Sequence, residues 1–316
     1  MIIKNNKFKI KKIDFVTAQK IWEDSPNRCV YNNPKFLQNY QISILGAFKG
    51  EELLCCWPIE STQKKEKSIP DFFYYFGPYW SNMGVPNHSL LSLSQNIYNE
   101  YINIFDKKNY KIDFQLHYSL KDIRPFSWWN YGNKKKKFFI YPKYTAIIDI
   151  DDKEKKNLIK NNYRYVRRYE IKKFAGYQKY VEFSNISLTD ICSLYFNSNK
   201  NLSHKKINLL KKSIKKLYHV AKKGFGKIIC LKDRKSKKVL YFNLVLFDKN
   251  SAHLVLNCSD DDWRKKGIMS WGLDFTLSNL CGSYKYFDFN GANSPNRGDD
   301  KHSYGSQKEL YFELKY

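Results

Sequence analysis

Residues 251–291 constrain this chain more than any other stretch. The run His253-Leu254-Val255-Leu256-Asn257-Cys258 has the length and apolar character of a buried strand. A basic segment, Arg264-Lys265-Lys266-Gly267, follows it. Residues 268–280 repeat apolar side chains at Ile268, Trp271, Phe275 and Leu277, the spacing of one helix face. Cys281-Gly282-Ser283 ends that helix, since glycine commonly sits just past a helix. Tyr286-Phe287-Asp288-Phe289 reads as a second strand with a carboxylate inside it. A cationic loop that opens a helix presents unpaired N–H groups and positive charge to an anion, most often a phosphate. Taken by itself, such a loop is equally readable as a solvated turn.

The 316 residues, 42% hydrophobic, suffice for one large or two medium domains. Mean hydropathy is −0.63, and no apolar run reaches the ~20 residues of a membrane span. The first seven residues lack the apolar core of a signal peptide, so a soluble, cytoplasmic protein is expected. The seven cysteines are scattered without a C-x-x-C and are expected to be buried free thiols, with no metal site. A formal charge of +26 invites a polyanionic partner. Only eight of the 56 basic residues are arginine, however, and arginine is the better fork for bidentate phosphate recognition. A solvated lysine surface therefore explains the charge as well as a nucleic acid does.

Along the chain, short helices are expected at 17–23 and 34–39. A hairpin is expected over 41–59 around Lys49-Gly50-Glu51, then a charged loop at 61–68, a helix at 89–105 and a strand at 111–117. Beyond a four-lysine turn come a strand at 144–149, one long basic helix over 151–177, and helices at 188–197 and 207–222. Strands at 227–231, 239–247 and 253–258 form an antiparallel meander. The helix and strand described above follow, and a last strand runs over 309–316.

Four landmarks make a resemblance specific. They are Gly77-Pro78-Tyr79-Trp80-Ser81-Asn82-Met83-Gly84; His117-Tyr118 with Arg124-Pro125-Phe126; Tyr163-Arg164-Tyr165-Val166-Arg167-Arg168; and Phe287-Asp288-Phe289-Asn290-Gly291, followed by Ser303-Tyr304-Gly305. With the 264–270 loop they resemble the FemA/FemB/FemX-like branch of the GNAT acyltransferases. The resemblance implies an α+β chain of two tandem GNAT-like domains, each a mostly antiparallel mixed sheet flanked by helices, over residues 1–140 and 141–316. It implies transfer of an acyl group from acyl-coenzyme A to the amine of an amino-sugar, expected to be nucleotide-linked, in surface-polysaccharide synthesis. FemA-like members instead use aminoacyl-tRNA. The helical hairpin that holds tRNA in some of them has no counterpart, because residues 186–222 are too short. A non-catalytic polyanion-binding protein of the same fold is the reading from a different class.

The resemblance also distributes roles. Backbone near Asn257 and Cys258 would meet the thioester carbonyl, and Arg264, Lys265, Gly267 and Ser270 would hold the pyrophosphate. Asp288 would orient or deprotonate the acceptor amine, or else form a structural ion pair, because an unpaired charge in an apolar strand is costly. His302 and His117 are further candidate bases. Arg164, Arg167 and Arg168, at helical spacing, suit a diphosphate or carboxylate, or a solvated helix face. Tyr79, Trp80 and Asn82 would stack on and hydrogen-bond a sugar, or belong to the core. Asn290, Asn293, Lys301, Tyr304 and Lys308 fall where relatives contact the acceptor. Asn290 stands where relatives tend to carry an acidic residue.

Overall fold

The computed structural model describes residues 8–60, 69–82, 87–107 and 112–316. The expected loop at 61–68, and Met83 and Gly84 of the first landmark, lie outside them. The chain is α+β and divides into two compact units, Met1–Lys143 with Leu310–Tyr316, and Tyr144–Glu309.

In unit 1 the order is β1 (Lys9–Ile13), α1 (Phe15–Asp24), α2 (Pro34–Gln38), β2 (Ser43–Lys49), β3 (Glu52–Ile59), β4 (Tyr79–Trp80), α3 (Asn87–Lys107), β5 (Asp113–Gln115) and α4 (Arg124–Ser127). Local signals set the helix starts. Asp14 caps α1 by accepting from the Thr17 amide at 2.7 Å, and Asn33 caps α2 with Pro34 at its first position. Strands β1 to β4 form an antiparallel sheet in sequence order. The core centres on Trp57, whose ring lies 4.7 Å from Phe114, 5.2 Å from both Tyr101 and Phe105, and 5.8 Å from Tyr98. These contacts recruit α3 through its buried face, Ile97, Tyr98, Tyr101, Ile102 and Phe105.

Strand β6 (Phe139–Asp149) begins in unit 1 and continues into unit 2. Unit 2 continues with α5 (Lys155–Asn161), α6 (Tyr165–Ala175), β7 (Val181–Phe183), α7 (Leu188–Asn197), α8 (His204–Val220), β8 (Gly226–Asp233), β9 (Val239–Phe247), β10 (Ser251–Ser259), α9 (Asp261–Lys265), α10 (Ile268–Leu280), β11 (Tyr286–Asp288) and α11 (Pro295–His302). The last strand, β12 (Gln307–Lys315), returns its residues from Leu310 onward to unit 1, where Leu314 opposes Phe114 of β5. The unit 2 sheet runs β6-β11-β10-β9-β8-β7 and is antiparallel except for the β10–β11 pair. That one parallel pair is what the crossover helix α10 requires.

Two expectations are corrected here. The single helix over 151–177 is broken: α5 ends at Asn161, and α6 starts after Arg164, which is extended at φ −56° and ψ 151°. Arg164 therefore caps α6 and does not share its surface row with Arg167 and Arg168. The basic loop before α10 is largely helical. Asp260 accepts from the amides of Asp262 and Trp263 and nucleates α9, which carries Arg264 and Lys265.

Candidate active site

The parallel register of β10 and β11 is short. It pairs Ser251 with Tyr286, Ala252 with Phe287 and His253 with Asp288, and there β11 ends. β10 runs on to Ser259, passing a bulge between Leu254 and Leu256. The two strands therefore part immediately beyond His253 and Asp288. Bulges re-aim a strand in this way. Past the bulge, Val255 and Asn257 are half-buried while their neighbours are buried. The buried Oδ1 of Asn257 has no hydrogen-bond partner among the described residues. The Asn290 side chain fills the start of the gap, donating to the Leu254 carbonyl at 2.9 Å.

At the fork lies a chain of buried charges. Asp248, in the turn after β9, accepts from the Asn250 and Ser251 amides at 2.8 Å and turns its other oxygen to His253 Nε2 at 2.7 Å. The other ring nitrogen of His253 faces Asp288 at 3.6 Å, an ion-pair distance. Asp288 also accepts from the Thr145 hydroxyl at 2.5 Å and the Asn290 amide at 2.7 Å. Asp288 and His253 are each only 1% exposed. Burial works against the imidazolium, but the hydrogen bonds and charges of Asp248 and Asp288 prevail and hold His253 protonated, with its pKa raised to about 10. The three groups are strung in a line and do not converge as metal ligands would.

Lys301 approaches the same fork from α11. Its ammonium donates to the carbonyls of Asn290 and Gly291, the latter at 2.8 Å. Burial is the main influence and, with Arg297 nearby, lowers its pKa to about 8, although the Asp288 charge pulls the other way. A lysine poised there exchanges a proton near neutral pH. A neutral amine has two N–H donors, enough for those two carbonyls, and keeps its lone pair for a substrate.

Several expected site residues take other places. Asp288 is enclosed, with its carboxylate turned to Thr145, the Asn290 amide and His253, the ion pair that was the alternative expectation for it. His302, on the last turn of α11, is half-buried with Nδ1 3.0 Å from the Ser306 hydroxyl. Tyr79 is fully buried, and Trp80 donates from its indole to Tyr98 at 2.7 Å. Both are core residues of unit 1, which leaves only Asn82 exposed. His117 is likewise packed, between Tyr75 and Tyr118 with Nδ1 2.7 Å from Ser119. Asn293 accepts from the Tyr144 amide at 2.6 Å, and the Lys308 ammonium lies 5.4 Å from the Tyr144 ring centre. Asn290 is buried in a left-handed conformation at φ 53°, which suits asparagine. Burial pushes the Cys258 thiol up to about 12, so no acyl-cysteine forms there readily.

The expected pyrophosphate cradle is filled from within. Gly267, at φ 92°, lies so close to α6 that a Cβ would sit 2.2 Å from the Glu170 carbonyl oxygen. Ser270 in the first turn of α10 donates to the Glu170 carboxylate and receives the Tyr304 hydroxyl at 3.1 Å. Glu170 thus supplies the negative charge that a helix N-terminus attracts. Arg167 binds it at 2.7 Å, pairs with Asp300 and stands 5.3 Å from the Tyr304 ring. Arg164 pairs with Asp299. Of the expected anion-binding arginines, Arg164 and Arg167 do hold carboxylates, but the chain's own, and they fasten the start of α6 to α11, while Arg168 donates to the Asn161 carbonyl at 3.0 Å. Arg264 donates to Ser259 at 3.2 Å and faces Asp261, while Lys265 faces Asp262. A cleft at the end of β10, lined by Lys238, Ser259, Asp260 and Ser198, mixes both signs of charge. Gly267→Ala should therefore destabilise the protein by about 3 kcal/mol or more, from left-handed strain plus overpacking. Urea unfolding checks this, and a loss under 1 kcal/mol would mean α6 is not seated on α10.

A mixed sheet forked at the end of one parallel pair, with a helix crossing between those strands, is the GNAT arrangement, seen here in unit 2 of a chain whose other sheet-and-helix unit has four antiparallel strands. The fold is that of the tandem GNAT proteins. A solved structure of FemX superposes with a TM-score of 0.63 at 10% identity, over 96% of each chain. A conserved protein of unknown function from Bacteroides thetaiotaomicron gives 0.60 at 11% identity, over 98% of this chain and 99% of that one. A tandem GNAT protein from the clavulanic acid biosynthesis pathway gives 0.55 at 7% identity, over 98% of both. At these identities the likeness is one of fold. No protein-family model matches the chain, and no curated protein sequence matches it. Among the described residues no helix is long and apolar enough to cross a membrane.

His253 and Asp248 were the functional positions least legible beforehand: His253 stood only within an expected strand, and Asp248 between two expected strands with no role, whereas Lys301 was among the positions expected to contact the acceptor. The usable signal was an Asp–x4–His spacing across a tight β9–β10 turn, which brings the two side chains together.

Proposed function

We propose that this protein is an N-acyltransferase that moves an acyl group from acyl-coenzyme A to the amine of an amino-sugar, with Lys301 as the proton acceptor at the fork of β10 and β11. The observation that carries the reading is the buried Asp248–His253–Asp288 chain beside a lysine whose proton is loosened, in a tandem GNAT fold. Aminolysis of a thioester needs the attacking amine to lose a proton, and the tetrahedral oxyanion needs donors. In the proposed step the amine nitrogen forms a bond to the carbonyl carbon, its proton passes to neutral Lys301, and the C–S bond breaks as the sulfur takes that proton back from Lys301 and leaves as the free thiol, which returns Lys301 to its neutral form.

A second reading is favoured by the filled cradle at α10. The contact of Glu170 with Ser270 supports this reading, because it places a carboxylate where a coenzyme A pyrophosphate would sit, and an aminoacyl group delivered on tRNA needs no such seat. Transfer assays with acetyl-coenzyme A and with aminoacyl-tRNA, each against UDP-glucosamine and a cell-wall precursor, separate the two. Under the first reading, Arg264→Ala with Lys265→Ala raises the KM for acyl-coenzyme A more than that for the amine. A change confined to the amine KM would remove the pyrophosphate from α9 and α10. Absence of transfer from either donor, with salt-sensitive RNA binding, would favour a non-catalytic role.

A further inference from the structure

We propose that the segment from Trp128 to Tyr141 docks this protein onto an anionic lipid surface. The segment belongs to unit 1 and holds four consecutive lysines, Lys134 to Lys137, with no acidic residue from Trp128 to Tyr141. Its aromatic residues divide sharply. Trp129 and Phe138 turn inward onto the Tyr316 ring, at 6.2 and 4.8 Å. Tyr131 and Phe139 stand 81% and 67% exposed, and Trp128 and Tyr141 about two-fifths exposed. On β6 this follows from strand alternation, since Ile140 packs on the unit 1 core while Phe139 and Tyr141 point away from it.

The projection is held in place. Asn130, at φ 57°, and Gly132, at φ 76°, turn the chain, and the Asn130 side chain donates to the Lys136 carbonyl at 2.5 Å. The Lys136 ammonium lies 4.3 Å from the Tyr316 ring centre, so the base of the lysine run is pinned while its neighbours are exposed. Holding four aromatic side chains, Trp128, Tyr131, Phe139 and Tyr141, at the water surface has no benefit to the fold, because each would gain from burial.

Aromatic rings beside lysines match the boundary of a bilayer. Rings settle at the headgroup level, long lysine stems reach past them, and the ammonium groups meet anionic headgroups. Nucleic acid is the less fitting occupant. Arg124, the arginine nearest the run in sequence, is already engaged by Asp122 through two side-chain bonds of 2.9 and 2.7 Å, and the planar fork best suited to phosphate is missing from the run itself. The inference is independent of the transfer reaction.

The full chain should co-sediment with phosphatidylcholine vesicles containing phosphatidylglycerol, not with pure phosphatidylcholine vesicles, and added salt should weaken the binding. Lys134→Gln, Lys135→Gln and Lys137→Gln together, sparing Lys136, should weaken it on the order of 100-fold. Tyr131→Ser with Phe139→Ser should weaken it at least ~10-fold. A control with Lys205, Lys212 and Lys215 of α8 changed to Gln should bind as the parent does. Equal loss in that control would reduce the effect to net charge and overturn the proposal. So would variants of the patch that lose binding to single-stranded RNA while keeping the vesicles. A dimer in sedimentation equilibrium that the Tyr131→Ser, Phe139→Ser variant disperses, without vesicle binding by the parent, would reassign the face to self-association.

Discussion

Lys301→Ala is expected to lower kcat by roughly 100- to 10,000-fold, the range for loss of a positioned proton acceptor, while leaving the protein folded. The side chain is half-buried at the end of α11 and its hydrogen bonds go to two carbonyls, while Asp288, whose charge also acts on it, keeps His253, Thr145 and the Asn290 amide when Lys301 is removed. The pH profile gives a sharper expectation. With Lys301 lowered to about 8, kcat should rise with pH through that value, and with His253 raised to about 10 it should fall again near 10 as Asp288 loses its imidazolium. In Lys301→Arg the guanidinium stays charged, so the rising limb should vanish along with the activity. A flat profile between pH 6 and 9 in the parent, at unchanged substrate affinity, would remove Lys301 from the proton path.

His253→Leu is expected to cost about 3–5 kcal/mol, as removal of one member of a buried ion group leaves the others uncompensated. For a chain of this size that lowers the melting temperature by roughly 5–8 °C. The loss should be largest at and below neutral pH, where His253 carries its charge, and shrink as pH rises toward about 10. Linkage gives the sign in the parent. The folded pKa of His253 lies above its unfolded value of about 6.5, so its contribution is complete below pH ~6.5 and is lost as pH rises toward about 10. Lys301 acts oppositely. Its folded value lies below the unfolded ~10.4, so the folded state gains as pH rises from about 8 to that value. Melting measured from pH 6 to 10 should therefore fall steadily at first and flatten above pH 8. Replacing the whole group, with Asp248→Asn, His253→Gln and Asp288→Asn, should recover part of the stability of His253→Leu without recovering activity. Full recovery of both would make the buried charges dispensable.

Much of the fold was readable because its signals are local. α7 spans the expected 188–197, and β9 the expected 239–247, since runs of apolar residues bounded by polar turns admit few alternatives. The break between α5 and α6 was not readable. Residues 151–177 keep a helical apolar spacing throughout, and the interruption comes from Arg164, whose amide donates to the Ser303 carbonyl and whose guanidinium reaches Asp299. A contact across 135 or more residues leaves no trace in local periodicity.

The same limit governs the site. By itself the sequence determined that a strand, a crossover helix and a second strand with a carboxylate at Asp288 would form in unit 2, because side-chain spacing reports which face of an element is buried. Only the tertiary structure decided which charges meet. The parallel register sets His253 beside Asp288, the β9–β10 turn sets Asp248 behind it, and α6 lays Glu170 across the first turn of α10 where an external anion was expected. Charges in a low-dielectric interior persist only where partners from distant segments arrive to compensate them, so their meeting is a property of packing and not of local sequence.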